Sequence, residues 1–172
     1  MQFCDFSQTE AHGAKAEIDR LLQLGFLLPS DAALADPRAI DMFFTSELYQ
    51  EMKMATTIYR EHRFMISLPC EEFADDPGAI GEELLVQGVI DCFFLDEKGR
   101  IHLVDYKTDT FPKNMEESAI EQTLLERHGK QMHYYTEALR RLCGKEVYRA
   151  SIYSFHLNRA ISIPNDMRKD LL

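Results

Sequence analysis

The chain has 172 residues, of which 45% are hydrophobic and 28% are charged, and its formal net charge is −10 at pH 7. This length and composition are typical of one globular domain with its own core. The acidity argues against tight, autonomous nucleic-acid binding, because free-standing DNA-binding proteins are usually basic. It does not exclude a module to which another domain or subunit delivers DNA.

Membrane and metal-cluster signals are absent from the sequence. No apolar run approaches the roughly 18 residues of a membrane span, and residues 1–13 lack the basic and apolar regions of a signal peptide. The four cysteines lie far apart without a Cys-x-x-Cys pair, which argues against a zinc ribbon or an iron–sulfur cluster. We therefore predict a cytoplasmic protein with reduced thiols and no membrane partner.

Helix signals dominate the first 56 residues. Ser7 and Glu10 have the spacing of a capping box, and an apolar stripe follows until Gly25. The stripe consists of Ala11, Ala14, Ile18, Leu21 and Leu22. Asp36 followed by Pro37 indicates another helix start. Its predicted buried stripe consists of Ile40, Phe43, Phe44, Leu48 and Met52. We interpret these helices as scaffold.

Strands are predicted in the rest of the chain by alternation and by β-branched or aromatic content. They cover residues 58–68, 84–95, 101–107 and 147–155. His62, in the first of them, is interpreted as an exposed strand residue rather than a ligand.

One long helical region separates the last two predicted strands. Asn114 and Glu117 have capping-box spacing and predict a helix to about His128. Gly129 is expected to interrupt it, with the helix continuing over residues 130–142. The element order predicts an α/β protein with a mixed β-sheet flanked by helices, in a single domain that takes up all 172 residues.

The two central strands carry aspartates where apolar residues are expected. Asp91 and Asp105 lie within apolar runs, and acidic side chains are rarely buried unless paired or bound to metal. A three-residue loop over residues 97–99, with Gly99 in the left-handed region, places Asp91 opposite Asp105. A four-residue loop would shift the register by one residue. Lys107 shares a strand face with Asp105 because side chains alternate.

Facing carboxylates repel unless they share a cation, and Mg²⁺ binds a few carboxylates while keeping several waters. The sequence therefore predicts a divalent-metal site, with Mg²⁺ as the ion and Mn²⁺ as an alternative. The acidic loop over residues 71–83 is expected to be solvated, although Glu82 or Glu83 could approach the metal. The remaining candidate histidines show no ligand spacing; they are His102, His128, His133 and His156.

Three short motifs carry a family resemblance: GVID, DYKTD and, on the next predicted helix, QMHYY. They resemble the C-terminal nuclease domain of the AddA subunit of bacterial ATP-dependent helicase–nucleases, in the RecB-like branch of the PD-(D/E)XK superfamily. The resemblance implies a restriction-endonuclease-like fold in which Asp91 and Asp105 hold a divalent metal. It makes Lys107 the catalytic lysine, and it places Gln131 and Tyr135 near the scissile phosphate.

The same resemblance implies a metal-dependent deoxyribonuclease that degrades DNA as an exonuclease. The parent protein would process double-strand ends in recombinational repair, coupled to unwinding and to a second, AddB-like subunit. Two alternatives stay open. One is an inactive structural or DNA-guiding domain, and the other is a stand-alone restriction-type endonuclease, for which no target-recognition domain is visible.

One family feature is missing from these residues. The family places a histidine in an upstream G-T-x-x-H-x-x-M-Q segment, and Met1-Gln2 resembles its end. His12 follows too late to replace that histidine. The resemblance therefore implies that the chain is part of a longer helicase–nuclease.

Overall fold

The computed structural model of the protein describes residues 1–70 and 81–164. Six helices lie in these ranges: α1 (Phe6–His12), α2 (Ala14–Gln23), α3 (Pro29–Leu34), α4 (Pro37–Thr45), α5 (Glu47–Lys53) and α6 (Glu117–Cys143). Five strands are described with them: β1 (Thr57–Pro69), β2 (Glu83–Leu95), β3 (Ile101–Lys107), β4 (Val147–Ser154) and β5 (Arg159–Ser162). No helix in the described ranges is both long enough and apolar enough to cross a membrane.

The strands form one mixed sheet in the order β1-β2-β3-β4-β5. The β1–β2, β2–β3 and β4–β5 pairs are antiparallel, and β3 and β4 are parallel. A parallel pair requires a crossover connection, and the 27-residue helix α6 provides it. This architecture confirms the predicted mixed α/β sheet flanked by helices.

The sheet separates two hydrophobic layers. Helix α6 packs on one face, where Met132, Ala138 and Leu139 lie in one cluster with Leu103 and Ile152. Helices α4 and α5 cover the other face, through a cluster of Phe43, Phe44, Leu48, Tyr49 and Met52 with Cys92, Phe94, Val104 and Tyr153. Residues 101–107 alternate between these layers, so β3 is buried on both sides.

The β2–β3 turn has the predicted form. Gly99 has φ 69° and donates its N–H to Asp96 O at 2.9 Å, while Asp96 N–H donates to Arg100 O at 3.1 Å. The observed pairs include Leu95 with Ile101. The three-residue loop and its register are therefore confirmed. The longer loop would have given a different register.

Two details of the N-terminal helices differ from prediction. The predicted capping box at Ser7 is wrong, because Asp5 is the N-cap of α1 and accepts a hydrogen bond from Gln8 N–H. The helix does not run on to Gly25, because Gly13 has φ 84° and separates α1 from α2. Asp36 caps α4 as predicted and accepts from two backbone N–H groups.

The second half differs in three details. Helix α6 begins without a side-chain cap, so the predicted Asn114–Glu117 box is wrong, and it passes through Gly129 without interruption. Its length and burial hold the glycine in helical conformation despite the low intrinsic propensity of that residue. Strand β5 was not predicted. Most of the acidic loop, residues 71–80, and residues 165–172 lie outside the described residues.

The carboxylate of Asp96 links the turn to β3. It accepts hydrogen bonds from Lys98 N–H and Arg100 N–H and contacts His102 Nε2 at 3.2 Å. Burial alone would raise the pKa of Asp96, but these contacts with Arg100, His102 and Lys98 outweigh it and lower the pKa strongly. A carboxyl with a lowered pKa stabilises the fold above its unfolded pKa, and that contribution is lost as the pH falls through the folded pKa.

We predict that Asp96→Asn lowers the melting temperature at pH 7. The difference from the unmodified chain should shrink as the pH falls below about 3.9, the usual aspartate value. Thermal unfolding followed by circular dichroism between pH 2 and 7 measures this. Asp19→Asn is the control, because it removes only an exposed ion pair with Lys15 on α2. A difference that stays constant with pH would contradict the turn-locking role.

Candidate active site

The site lies where β2 and β3 separate. Their backbone pairing stops at Cys92 and Val104, one position before Asp91 and Asp105. At this point Tyr106 N–H donates to Asp91 Oδ2 at 3.0 Å, so a side chain replaces a strand partner. Beyond it, β2 continues beside β1 while β3 continues beside β4. The strands diverge from this point, with Asp91 on β2 and Asp105 on β3 at the first position beyond the pairing.

The side-chain alternation of β2 also changes at Asp91. Ile90 and Phe93 pack in the same layer under α6, although a regular strand would place them on opposite faces. In β1, the residue at the register position opposite Asp91 is Glu61, whose φ of 52° lies in the left-handed region. A non-glycine residue in this region is uncommon and marks a local distortion. Alternation with Phe93 places Asp91 on the α6 side of the sheet, and the irregularity lies between Asp91 and Ile90.

Asp105 is the most deeply buried acid of the site, with 1% of its surface exposed. Its Oδ2 forms an ion pair with Lys107 Nζ at 2.7 Å, although the angle is poor for a hydrogen bond. Its Oδ1 is buried and has no hydrogen-bond partner in the described part of the chain. Burial raises the pKa of Asp105, Lys107 opposes this, and the negative charge of Asp91 adds to the rise.

Three polar side chains form a connected series from β3 to α6. Lys107 Nζ donates to Gln131 Oε1 at 2.8 Å, and Gln131 Nε2 donates to Tyr135 Oη at 2.7 Å. Because an ammonium group only donates, the amide oxygen must face Lys107 and the amide nitrogen must face Tyr135. The structure therefore connects Asp105, Lys107, Gln131 and Tyr135.

The carboxylates fit a divalent ion. Asp105 Oδ1 is an orphaned buried acceptor, and Asp91 lies close enough to affect the pKa of the Asp105 carboxyl. No three His, Cys, Asp or Glu side chains form a metal-binding group among the residues that the structure describes. Two carboxylates are nevertheless sufficient for Mg²⁺, which keeps several waters and often takes its other ligands from substrate phosphates.

Other acids and histidines named from the sequence lie elsewhere. Glu83 accepts a hydrogen bond from Ser67 Oγ at 2.6 Å. It is eight residues along β2 from Asp91, a separation of about 26 Å in an extended strand, so it does not approach the aspartates. His62 is half-buried rather than exposed, and its ring packs edge-on against Phe93.

Glu61 is a site residue that the sequence analysis missed. Together with Asp105 and Asp91, it helps to raise the pKa of Tyr135, whose main cause is burial. This effect places Glu61 within electrostatic reach of Tyr135. A charged residue in a half-exposed strand is unremarkable by sequence, so only the β1–β2 register could have identified it.

A second set of polar side chains connects the segment after β3 with helix α6. Asp109, two residues after Lys107, contacts His128 Nε2 at 3.0 Å and Arg127 Nη1 at 3.1 Å. Burial would raise the pKa of Asp109, but the hydrogen bonds from His128 and Arg127 outweigh it and lower the pKa. His128 lies one helical turn before Gln131. The sequence spacing of His128 does not predict a metal ligand, and in the structure His128 contacts Asp109.

Comparison with known proteins gives two findings. Residues 6–168 match the model of the PD-(D/E)XK nuclease superfamily. The chain is also similar to proteins whose names describe the A subunit of an ATP-dependent helicase/nuclease. It is 38% identical over 159 residues to the protein of Acetivibrio thermocellus, covering 90% of this chain and 12% of the relative. For the Clostridium botulinum protein the identity is 34% over 167 residues, covering 95% and 12%.

The relative from Geobacillus thermodenitrificans, which carries the same name, is 35% identical over 144 residues. That match covers 82% of this chain and 12% of the relative. The chain thus spans about one eighth of the length of the curated relatives it matches.

Gly88 of β2 lies against Phe64 of β1 and near Tyr135 of α6. A Cβ added there would be 2.8 Å from Phe64 Cε1, and Phe64 packs edge-on against Tyr135 with ring centroids 5.7 Å apart. We predict that Gly88→Ala destabilises the fold by about 1–3 kcal/mol, the usual cost of overpacking. Urea denaturation measures the loss.

The control for Gly88→Ala is a double-mutant cycle with Phe64→Leu, which removes the ring that the new methyl group would meet. The effect of Gly88→Ala should be smaller in the Phe64→Leu background. A fully stable Gly88→Ala variant would show that the close approach is not required.

Proposed function

The chain belongs to the PD-(D/E)XK nuclease superfamily, and we propose that it is a divalent-metal-dependent nuclease domain that hydrolyses phosphodiester bonds of DNA. The observation that carries this proposal is the connected series from Asp105 through Lys107 and Gln131 to Tyr135. A buried ion pair is expensive to desolvate and is weak support for stability by itself. An orphaned carboxylate oxygen beside it, where two strands diverge, is an arrangement expected of a catalytic site.

Asp91 and Asp105 are the residues that would hold the ion. When bound, such an ion supplies Lewis acidity, which polarises the phosphate and makes water a better nucleophile. Asp91 is fixed by the Tyr106 N–H, and its position therefore depends on β3 as well as on β2. The positions of Asp91 and Asp105 therefore both depend on β3, the strand that carries Lys107.

Lys107 would stabilise the negative charge that develops on the phosphate oxygens in the transition state. Its ammonium group is already oriented by Asp105 and Gln131, so little reorganisation is needed during the reaction. Tyr135 fixes the amide of Gln131 and thereby the lysine. Contacts of this kind are made to phosphate rather than to bases, so we propose that cleavage is independent of the DNA sequence.

The names of the relatives extend the proposal to a larger process. Helicase/nuclease subunits of about eight times this length carry the matching segment. We therefore propose that the domain acts as an exonuclease on strands unwound at double-strand DNA ends, within recombinational repair and beside a second, AddB-like subunit. The net charge of −10 supports delivery of the DNA by other parts of such an assembly.

The metal proposal gives a thermal-shift prediction. Mg²⁺ or Mn²⁺ should raise the melting temperature of the unmodified chain, because a ligand that binds the native state stabilises it. Asp105→Asn should remove that rise. The raised pKa of Asp105 means that its ionised form destabilises the fold above the folded pKa. Asp105→Asn removes this destabilisation, which should offset part of the stability lost with the ion pair to Lys107.

The matched control is Asp96→Asn, which should start from a lower melting temperature and keep the metal-induced rise. Differential scanning fluorimetry with and without the metals provides both measurements. An equal rise in the unmodified chain and in Asp105→Asn would place the metal elsewhere.

The nuclease proposal gives an activity prediction. The unmodified chain should degrade single-stranded DNA at high Mn²⁺ or Mg²⁺, and Lys107→Ala should reduce the rate by about 10²–10³-fold, the usual loss for one transition-state charge contact. The metal-induced thermal shift should persist in Lys107→Ala, because Asp91 and Asp105 remain. Gel analysis of end-labelled DNA measures the cleavage.

Lys98→Ala is the control for the loss of one positive charge, because Lys98 is exposed in the β2–β3 turn. Its cleavage rate should equal that of the unmodified chain. Cleavage by Lys107→Ala at the unmodified rate would refute the assigned site. Absence of cleavage with every divalent metal would favour the DNA-guiding alternative.

A further inference from the structure

His128 and Asp109 bridge the two elements that carry the catalytic series. Asp109 lies in the connection that follows Lys107, and His128 precedes Gln131 by one turn of α6. The imidazole Nε2 contacts Asp109 Oδ2 at 3.0 Å, and only 20% of the His128 side chain and 19% of the Asp109 side chain are exposed. A carboxylate on one ring nitrogen fixes the orientation and the tautomer of an imidazole.

The other ring nitrogen, Nδ1, has no hydrogen bond in the described part of the chain. It is not among the buried polar atoms that lack a partner, so it is accessible to solvent. The positive charge of a protonated His128 lowers the pKa of Asp105, which places the imidazole within electrostatic reach of the carboxylate pair. The ring is therefore oriented at one nitrogen and accessible at the other, beside the proposed reaction centre.

The proposed hydrolysis needs a proton donor. When a phosphodiester bond breaks, the departing oxygen carries a negative charge that a positioned acid can neutralise, typically for a 10²–10⁴-fold gain in rate. Lys107 is engaged by Asp105 and by Gln131. Tyr135 is a poor acid, because burial raises its pKa. Imidazole is the side chain that exchanges protons near neutral pH.

We propose that His128, oriented by Asp109, is the general acid that protonates the leaving oxygen; this inference rests on the proposed nuclease function. The bond between phosphorus and the leaving oxygen breaks, and its electron pair remains on that oxygen. The proton on Nδ1 of the imidazolium forms the new O–H bond. His128 becomes neutral and regains a proton from solvent before the next cycle. Asp109 is a positioning residue in this scheme.

The charged groups that face His128 come from three parts of the fold. Asp109 lies in the connection after β3, Arg127 lies on α6 and shares the other oxygen of Asp109, and Asp105 with its partner Lys107 lies on β3. Arg127 balances part of the Asp109 charge. Asp109 therefore remains a hydrogen-bond acceptor for His128.

The test uses two single-stranded DNA substrates that differ in one atom. One contains an ordinary phosphodiester, and the other carries sulfur in place of the leaving oxygen. A thiolate leaves without protonation, because thiols are far more acidic than alcohols. His128→Ala should cleave the oxygen substrate about 10²-fold more slowly than the unmodified chain, and should cleave the sulfur substrate at nearly the unmodified rate.

Asp109→Asn should lower the rate on the oxygen substrate more than on the sulfur substrate, and Asp109→Glu should restore part of the loss. In the unmodified chain, the ratio of oxygen to sulfur rates should fall as the pH rises and the imidazolium loses its proton. That fall should be absent in His128→Ala. The control is His12→Ala, an exposed histidine of α1 outside the site, which should leave both rates unchanged.

The outcomes separate this inference from the nuclease proposal. If the unmodified chain cleaves both substrates and His128→Ala loses both equally, the nuclease stands and His128 is only a phosphate contact or a structural residue. If the unmodified chain cleaves neither substrate with any divalent metal, the nuclease proposal fails and the proton-donor role fails with it. Selective loss of the oxygen substrate supports the general acid.

Discussion

The buried ion pair between Asp105 and Lys107 is the constraint on which the site depends. Two charges removed from water lose several kcal/mol of hydration each, and their attraction restores this only with good geometry and further hydrogen bonds. Here Gln131 supplies one such bond to Lys107, and Tyr135 holds Gln131. The pair is thus only partly compensated by the protein, and one oxygen of Asp105, Oδ1, stays without a hydrogen-bond donor among the described residues.

Separation of β2 and β3 solves a second physical problem. A backbone N–H buried without a partner is costly, and the N–H of Tyr106 loses its strand partner where the two strands diverge. Asp91 accepts that hydrogen bond with one carboxylate oxygen. The position of the Asp91 carboxylate therefore follows directly from the interruption of the sheet. The left-handed backbone of Glu61 lies at the neighbouring position of β1.

Helix α6 brings the remaining chemistry to this interruption. As the crossover between the parallel strands β3 and β4, it must lie across the sheet, and its apolar side packs on the strands. Polar residues of α6 therefore lie near the end of β3. Gln131 reaches Lys107, and His128 with Arg127 reaches Asp109. A chain of net charge −10 therefore places two basic side chains, Lys107 and Arg127, near the end of β3, each paired with an aspartate.

The sequence by itself determined the features that follow from short-range rules. Turn length and Gly99 determined the β2–β3 register, strand alternation placed Lys107 on the face of Asp105, and Asp36 with Pro37 marked the start of α4. These features depend on a few neighbouring residues, and the motif resemblance added Gln131 and Tyr135.

Only the tertiary structure decided the rest. The continuity of α6 through Gly129, the short strand β5, the position of Glu61 and the Asp109–His128 contact each depend on residues distant in sequence. Helical propensity disfavours Gly129, and packing of the long helix on the sheet overrides that preference. His128 has no distinguishing local pattern. His128 contacts Asp109 because the crossover connection places α6 over β3. This placement depends on residues distant in sequence and cannot be read from a local pattern.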